Sequence, residues 1–357
     1  FSIVTLGGVS EFVTVLKLFA LLVAPAFMIG TCVPLFAGLV TARTSEEDKG
    51  RAFAATYGLY NLGAVISVLM IEFWLLRQFG MTATMFATAA VNIVTGLVLF
   101  FARIRQGPGE ARRSSRQLLV SRTGMSILLA GIASGIFQLF VLKFSFQVFG
   151  PFHENFAMVL SLALLGRCFS PVLLRRFGSR LDLALALAAL SVVVAMLLAA
   201  PMIGFWAGIA NTFDTQAGYL GAKIALLTIL ALPAFCFVGA VVPLAVARFK
   251  RGEQGSAVST GGAVLAVSSA GNGIGALLMI SALNESLDLH SVVLIVVGGL
   301  LLAALLVMPP LRLARWSAAC GIAAVVLAGL STFTWPGVAL ELGYKTIASP
   351  GRLEQLR

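Results

Sequence analysis

Charge is scarce in this sequence, and acidic charge is scarcest. Asp, Glu, Lys and Arg together make up 11% of its 357 residues, against about 25% in a soluble domain. That deficit excludes a water-soluble globular fold for most of the chain. There are two histidines, His153 and His290, too few and too far apart for a histidine metal centre or a proton relay. The four cysteines, Cys32, Cys168, Cys236 and Cys320, all lie in apolar runs without metal-ligand spacing. They predict no disulfide, no zinc site and no redox motif. Gly271-Asn272-Gly273-Ile274-Gly275 imitates a dinucleotide-binding loop, but it lies inside an apolar run with no strand before it. Serines are frequent, yet none has an identifiable partner base. The expectation is therefore no catalytic residue, no metal and no cofactor.

Apolar residues fill the space that charge leaves. They make up 59% of the chain, and the mean hydropathy is +1.01. They fall in runs of about 20 residues, the length of a helix that crosses a bilayer. The runs predict an all-α, polytopic integral membrane protein of about ten spans: 12–40, 52–76, 82–102, 124–149, 155–174, 181–203, 218–247, 257–283, 289–308 and 316–335. Pro25 and Pro34 in the first span, and Pro233 and Pro243 in the seventh, predict kinks or tilt there.

Lys and Arg number 25 against 14 Asp and Glu, a net charge of +11. This balance does not mark a nucleic-acid binder, because the basic residues sit in short loops and not on one soluble face. They cluster in alternate loops: Arg43, Lys49 and Arg51; Arg103 to Arg122; Arg175, Arg176 and Arg180; Arg248, Lys250 and Arg251; Arg312 and Arg315. The positive-inside bias places these loops in the cytoplasm and both termini outside it. The partner this implies is the lipid bilayer of a cell membrane, of the bacterial inner-membrane kind, and no nucleic acid.

The chain also repeats itself. Gly30-Thr31-Cys32-Val33-Pro34-Leu35 corresponds to Gly239-Ala240-Val241-Val242-Pro243-Leu244, each after a Pro-Ala-Phe. Each is followed by a charged loop and then a Gly-rich span, ending at Gly63-Ala64 in one copy and at Gly275-Ala276 in the other. Two halves of like orientation are a common way to build transporters. The predicted organisation is a three-helix first bundle at 1–102, a basic cytoplasmic loop at 103–123, a six-helix second bundle at 124–308, an additional helix at 309–335 and an extracytoplasmic tail at 336–357. The three helices that would complete the first half are expected before Phe1.

These segments resemble the membrane half of fused, major-facilitator-like spermidine synthase (polyamine aminopropyltransferase) proteins. That family has a Gly-x-x-x-Pro-Leu helix end, followed by a helix with Tyr-x-x-Asn-x-x-Gly-Ala. Here Tyr57 and Gly63-Ala64 match in the first half, with Tyr60 at the asparagine position. In the second half Asn272 matches, with Ser269 at the tyrosine position. The family's Glu-x-x-Trp-x-Arg, after a Gly-rich stretch like Gly131–Gly135, stands here as Gln138, Val141 and Lys143. The segment Arg175–Arg180 is similar to the major-facilitator loop between second and third helices, without its aspartate. The resemblance implies a membrane scaffold or anchor for a fused domain or protein partner on the extracytoplasmic side. Aminopropyl transfer would follow only if a catalytic domain lies beyond this chain.

Charge inside a bilayer is costly and marks candidate sites. Arg167, near the middle of its span, is the first candidate, against a carbonyl contact or snorkelling to lipid phosphate. Lys143 reads as a snorkelling residue, and Gln138 as an interhelical hydrogen-bonding group. Glu72 is expected to pair with Arg77 at the rim, or else with Lys143 or Arg167. Tyr57, Tyr60 and Asn61 gather near the start of one helix. Asn272 reads as an amide between close helices. Gly131/Gly135 and Gly271/Gly275 are small-xxx-small pairs for helix packing. Three roles remain open: the scaffold, a major-facilitator-type secondary transporter of a small solute, and a non-catalytic accessory subunit.

Overall fold

The computed structural model describes residues 32–33, 36–37, 40, 48–101, 121–249, 257–283 and 286–335. Nearly all of the expected span 12–40, most of the loop 103–123 and the tail 336–357 lie outside the described residues. So do the three helices expected before Phe1.

The described residues form helices and no strand. Helix α1 (Lys49–Met70) runs into a π-helical turn, Ile71–Leu75, and then into α2 (Leu76–Phe101). Within α2, Gly80 takes φ +72°, where the two expected spans meet. A residue with a Cβ would be strained at that angle. Helices α3 (Arg122–Phe149) and α4 (His153–Cys168) follow, then a short α5 (Ser170–Phe177) and α6 (Leu181–Ile209). Helix α7 (Gln216–Gly239) is succeeded by α8 (Val241–Phe249), and α9 (Ala257–Leu278) by a second π-helical turn, Met279–Leu283. The last two are α10 (Leu289–Leu306) and α11 (Leu311–Thr334). Eight helical stretches among the described residues are long and apolar enough to cross a membrane. The protein is therefore compatible with a polytopic, all-helical membrane architecture.

Helix starts follow local chemistry. Ser121 Oγ accepts a hydrogen bond from the Gly124 N–H at 3.0 Å and caps α3. Thr215 does the same for α7 through Gly218, and Asp288 for α10 through His290. Each satisfies a backbone donor that the helix itself leaves free.

Five helices, α3, α10, α6, α7 and α4, pack in succession around one core. Helix α9 lies against α3, α11 against α6, and α1 against α4. Glycines set the closest approach. A methyl group built on Gly135 would collide with the Asn272 carbonyl, and one on Gly275 with the Ile132 carbonyl. Gly131 and Gly271 face each other across the same seam. The four small residues thus let α3 and α9 touch backbone to backbone, as small-xxx-small pairs do in membranes.

Two expected spans are helices interrupted at a single residue each. The span 155–174 is divided at Phe169, after which Pro171 stands at the start of α5. The span 218–247 is helical through Pro233 and is interrupted at Ala240, just before Pro243. The breaks lie side by side: a Cβ at Gly239 would press on Arg167, and one at Gly166 on Phe235.

Candidate functional site

Arg167 belongs to the last turn of α4, one residue before that helix ends. It stands where α4 gives way to α5, inside the membrane-compatible stretch His153–Phe177. Free carbonyls gather at a helix C-terminus and favour a cation there. Among the described residues its guanidinium makes no ion pair or hydrogen bond.

Around it lies a cavity of about 30 Å³, lined by Tyr57 from α1, Ser134 from α3, Arg167, Val241 and Val242 beside the second break, and Ser268 and Asn272 from α9. Backbone at Gly131 and Gly239 completes the wall. Three of the residues singled out from the sequence, Tyr57, Arg167 and Asn272, therefore meet at one place. The volume suits one small ion or a water molecule. The chemistry is that of hydrogen-bond donors around a fixed positive charge: one guanidinium, hydroxyls and an amide, with no carboxylate in the lining.

The other sequence candidates lie elsewhere. Gln138 and Lys143 are half-buried on α3 and do not line the cavity. Tyr60 is half-buried against the core beside it. Asn61 turns its amide back on its own helix, donating to the Tyr57 carbonyl at 2.7 Å. Glu72 meets neither Arg77 nor Arg167: its Oε1 lies 2.9 Å from His153 Nε2. Arg77 instead stacks over Phe73, its guanidinium carbon 5.7 Å from the ring centroid.

The sequence reading missed Lys223. This lysine is fully buried on α7, 3.6 Å from Glu154 and surrounded by aromatic rings. A lysine near the start of a span reads as interfacial, and only the position of Tyr219 one turn earlier hinted otherwise. A buried acid was missed as well. Asp182 accepts hydrogen bonds from Arg180 at 3.2 and 3.1 Å and one from Ser317 of α11.

One serine does have a histidine beside it. His290 Nε2 lies 3.1 Å from Ser331 Oγ, but Ser331 is fully buried and donates to the Ala328 carbonyl. Asp288 accepts from the backbone of His290, so no acid orients the ring in the manner of a catalytic triad. The contact fastens α10 to α11. Among the described residues no three His, Cys, Asp or Glu side chains gather as metal ligands.

Set against protein-family models, curated proteins and solved structures, the chain matches none.

Proposed function

We propose that this chain is a major-facilitator-type membrane transporter whose bundle binds a small anion at Arg167. The observation that carries this reading is the guanidinium itself, set without a counter-ion in a carboxylate-free polar cavity between two helix breaks. Discontinuous helices around a polar site are a recurrent feature of secondary transporters. The start of α8, at Val241 and Val242, lies on the same wall.

The internal repeat supports the same reading. Helices α1 and α9 carry the Gly-rich segments that correspond in the sequence, and they contribute Tyr57 and Asn272 to one cavity. Each also runs into a π-helical turn after its Gly-Ala pair. With the basic loops in the cytoplasm, the connection between α3 and α4 faces outward.

A second reading, the scaffold for a spermidine synthase-like catalytic partner, draws on one observation. The stretch Lys49–Val98 is the least buried of the eight membrane-compatible stretches, and Met81, Met85, Phe86, Val91 and Leu97 are exposed along it. Such a surface is available to lipid or to a protein partner.

Thermal unfolding of the full chain in detergent separates the readings. Chloride, formate and phosphate, compared at matched ionic strength, are expected to raise the midpoint of the wild type and leave Arg167→Gln unmoved. An unmoved wild type, or an equal rise in the variant, would count against the anion site. Loss of a co-purifying partner from Arg167→Ala, without any anion effect, would favour the scaffold.

A further inference from the structure

The end of the bundle where α3 turns into α4 holds a second concentration of charge, apart from the Arg167 cavity. Its deepest member is Lys223. The ammonium lies 4.5 Å from the ring centroids of Phe152 and Tyr219 and 6.0 Å from that of Phe149. Burial costs the ammonium its water, and the rings together with Glu154 offset part of that cost. Glu154 Oε1 stands 3.6 Å away, and among the described residues the ammonium donates no hydrogen bond.

The chain of charge continues outward. The other oxygen of Glu154 lies 3.6 Å from His153 Nδ1, and His153 Nε2 lies 2.9 Å from Glu72 Oε1. Neither ring N–H is aligned for a linear bond to Glu72, so that contact is electrostatic. Four side chains thus form one line, Lys223–Glu154–His153–Glu72, from α7 through α4 to the π-helical turn after α1. The lysine side chain is 0% exposed, the carboxylates 11% and 13%, and the imidazole 75%. The histidine is the exposed member of the line.

Within these four side chains, charge balance favours a positive ring. Two carboxylates and one ammonium leave a deficit of one positive charge. An uncompensated charge at a poorly hydrated site is costly. Ring chemistry points the same way. Each ring nitrogen faces a carboxylate, and a neutral imidazole has one N–H, so it would turn a lone pair toward one of them. Only the imidazolium meets both carboxylates with positive charge and no lone pair. Of the neighbouring elements, α3 brings the uncharged Gln147 and, further along, the half-buried Lys143, α6 brings Trp206 against Tyr219 at 5.2 Å, and Arg77 keeps its charge over the Phe73 ring. The ion pairs of the line join its own four side chains.

We propose that His153, between Glu72 and Glu154, is a proton-binding site, and that its proton fastens the end of α1 to the α4–α7 edge of the bundle. Histidine is the side chain whose charge changes between about pH 5 and 8. With the proton bound the line is neutral and Glu72 is held. Without it, two carboxylates flank an uncharged ring, and the link from Glu72 to the bundle is released. This inference does not rest on the anion site.

The test uses the full chain in detergent with isotope-labelled histidine, because two histidines give two assignable ring signals. At about pH 6.5, the His153 ring of the wild type is expected to show the imidazolium signature. Glu72→Gln is expected to move it toward the neutral ring, and Glu154→Gln likewise. The His290 signal, unchanged, certifies the fold in each case. If Glu154→Gln fails to fold because it strands Lys223, Glu72→Gln decides alone. A neutral His153 ring in the wild type, or an unmoved signal in Glu72→Gln, overturns the proposal. As a second readout, the thermal midpoint of the wild type is expected to fall between about pH 5.5 and 8.5, and that of His153→Gln to change less. An equal fall in both would also overturn it.

Discussion

Replacing Gly275 with alanine sets two known effects against each other on one helix. Alanine in a helix interior gains about 0.5–1 kcal/mol over glycine. At Gly275 the new methyl group would overlap the Ile132 carbonyl of α3, with Ile132 Cα 3.0 Å away. Those are backbone atoms, so no side chain can swing aside and the two helices must part. Overpacking of this kind costs about 1–3 kcal/mol. The seam is shared by Gly131, Gly135 and Gly271, so the cost belongs at the upper end of that range. Gly273, two residues earlier on the same helix, supplies the control: a Cβ there meets nothing within 4 Å. Gly273→Ala is expected to be neutral or mildly stabilising, and Gly275→Ala, which shares the same helix-propensity gain, to be less stable than it by about 2–3 kcal/mol. Equilibrium unfolding in mixed micelles, run on both variants side by side, measures the difference. Equal stabilities would refute the backbone-to-backbone packing of α3 on α9. Because Asn272 rides on the same seam, Gly275→Ala is also expected to weaken any anion effect on thermal unfolding.

Ser317→Ala removes one of the hydrogen bonds to the buried Asp182 carboxylate and is expected to cost about 1–3 kcal/mol, read by the same unfolding assay. Arg180→Ala should cost more, since it leaves that carboxylate without its cation. Asp288 gives a pH-dependent prediction. The Ser291 hydroxyl, aided by the backbone N–H groups of Ser291 and His290, holds its carboxyl below the ordinary carboxylate range. A lowered folded-state value means that the stabilisation is present above the unfolded carboxylate range and is lost as pH falls through the folded value. Acid below about pH 4 is therefore expected to erode the start of α10, and Asp288→Ala to remove about 1 kcal/mol of capping at neutral pH. A variant whose acid sensitivity equals that of the wild type would contradict this.

How much of this could be read from the sequence depended on where the information lay. Membrane-compatible spans are written locally, as long runs of Leu, Val and Ala, and from 124 onward each expected span has a helix at its place. The small-xxx-small pairs at Gly131/Gly135 and Gly271/Gly275 were legible for the same reason, since their spacing alone puts them on one face. The breaks after Cys168 and Gly239 were not, because the apolar run continues across both and only Pro171 and Pro243 mark them. Tyr57, Arg167 and Asn272 were recognisable individually as polar groups in apolar surroundings. That they share a cavity depends on how α1, α4 and α9 pack, which no local pattern encodes. The partner of Glu72 was misjudged on the same ground. Arg77 is close in sequence, whereas His153 comes near only once α4 has packed beside α1. Lys223 and Glu154 look interfacial in a hydropathy profile and become a buried pair only in the assembled bundle.

The central claim is that Arg167 holds a small anion on its way across the bilayer. The most direct measurement is flux of chloride, formate and phosphate into proteoliposomes containing the full chain, with Arg167→Gln reconstituted to the same density. The account predicts uptake of at least one of these anions by the wild type, and at least a tenfold loss in the variant, about 1.4 kcal/mol at the site. Uptake that is equal in the two proteins, or no uptake beyond empty liposomes in either, would contradict it.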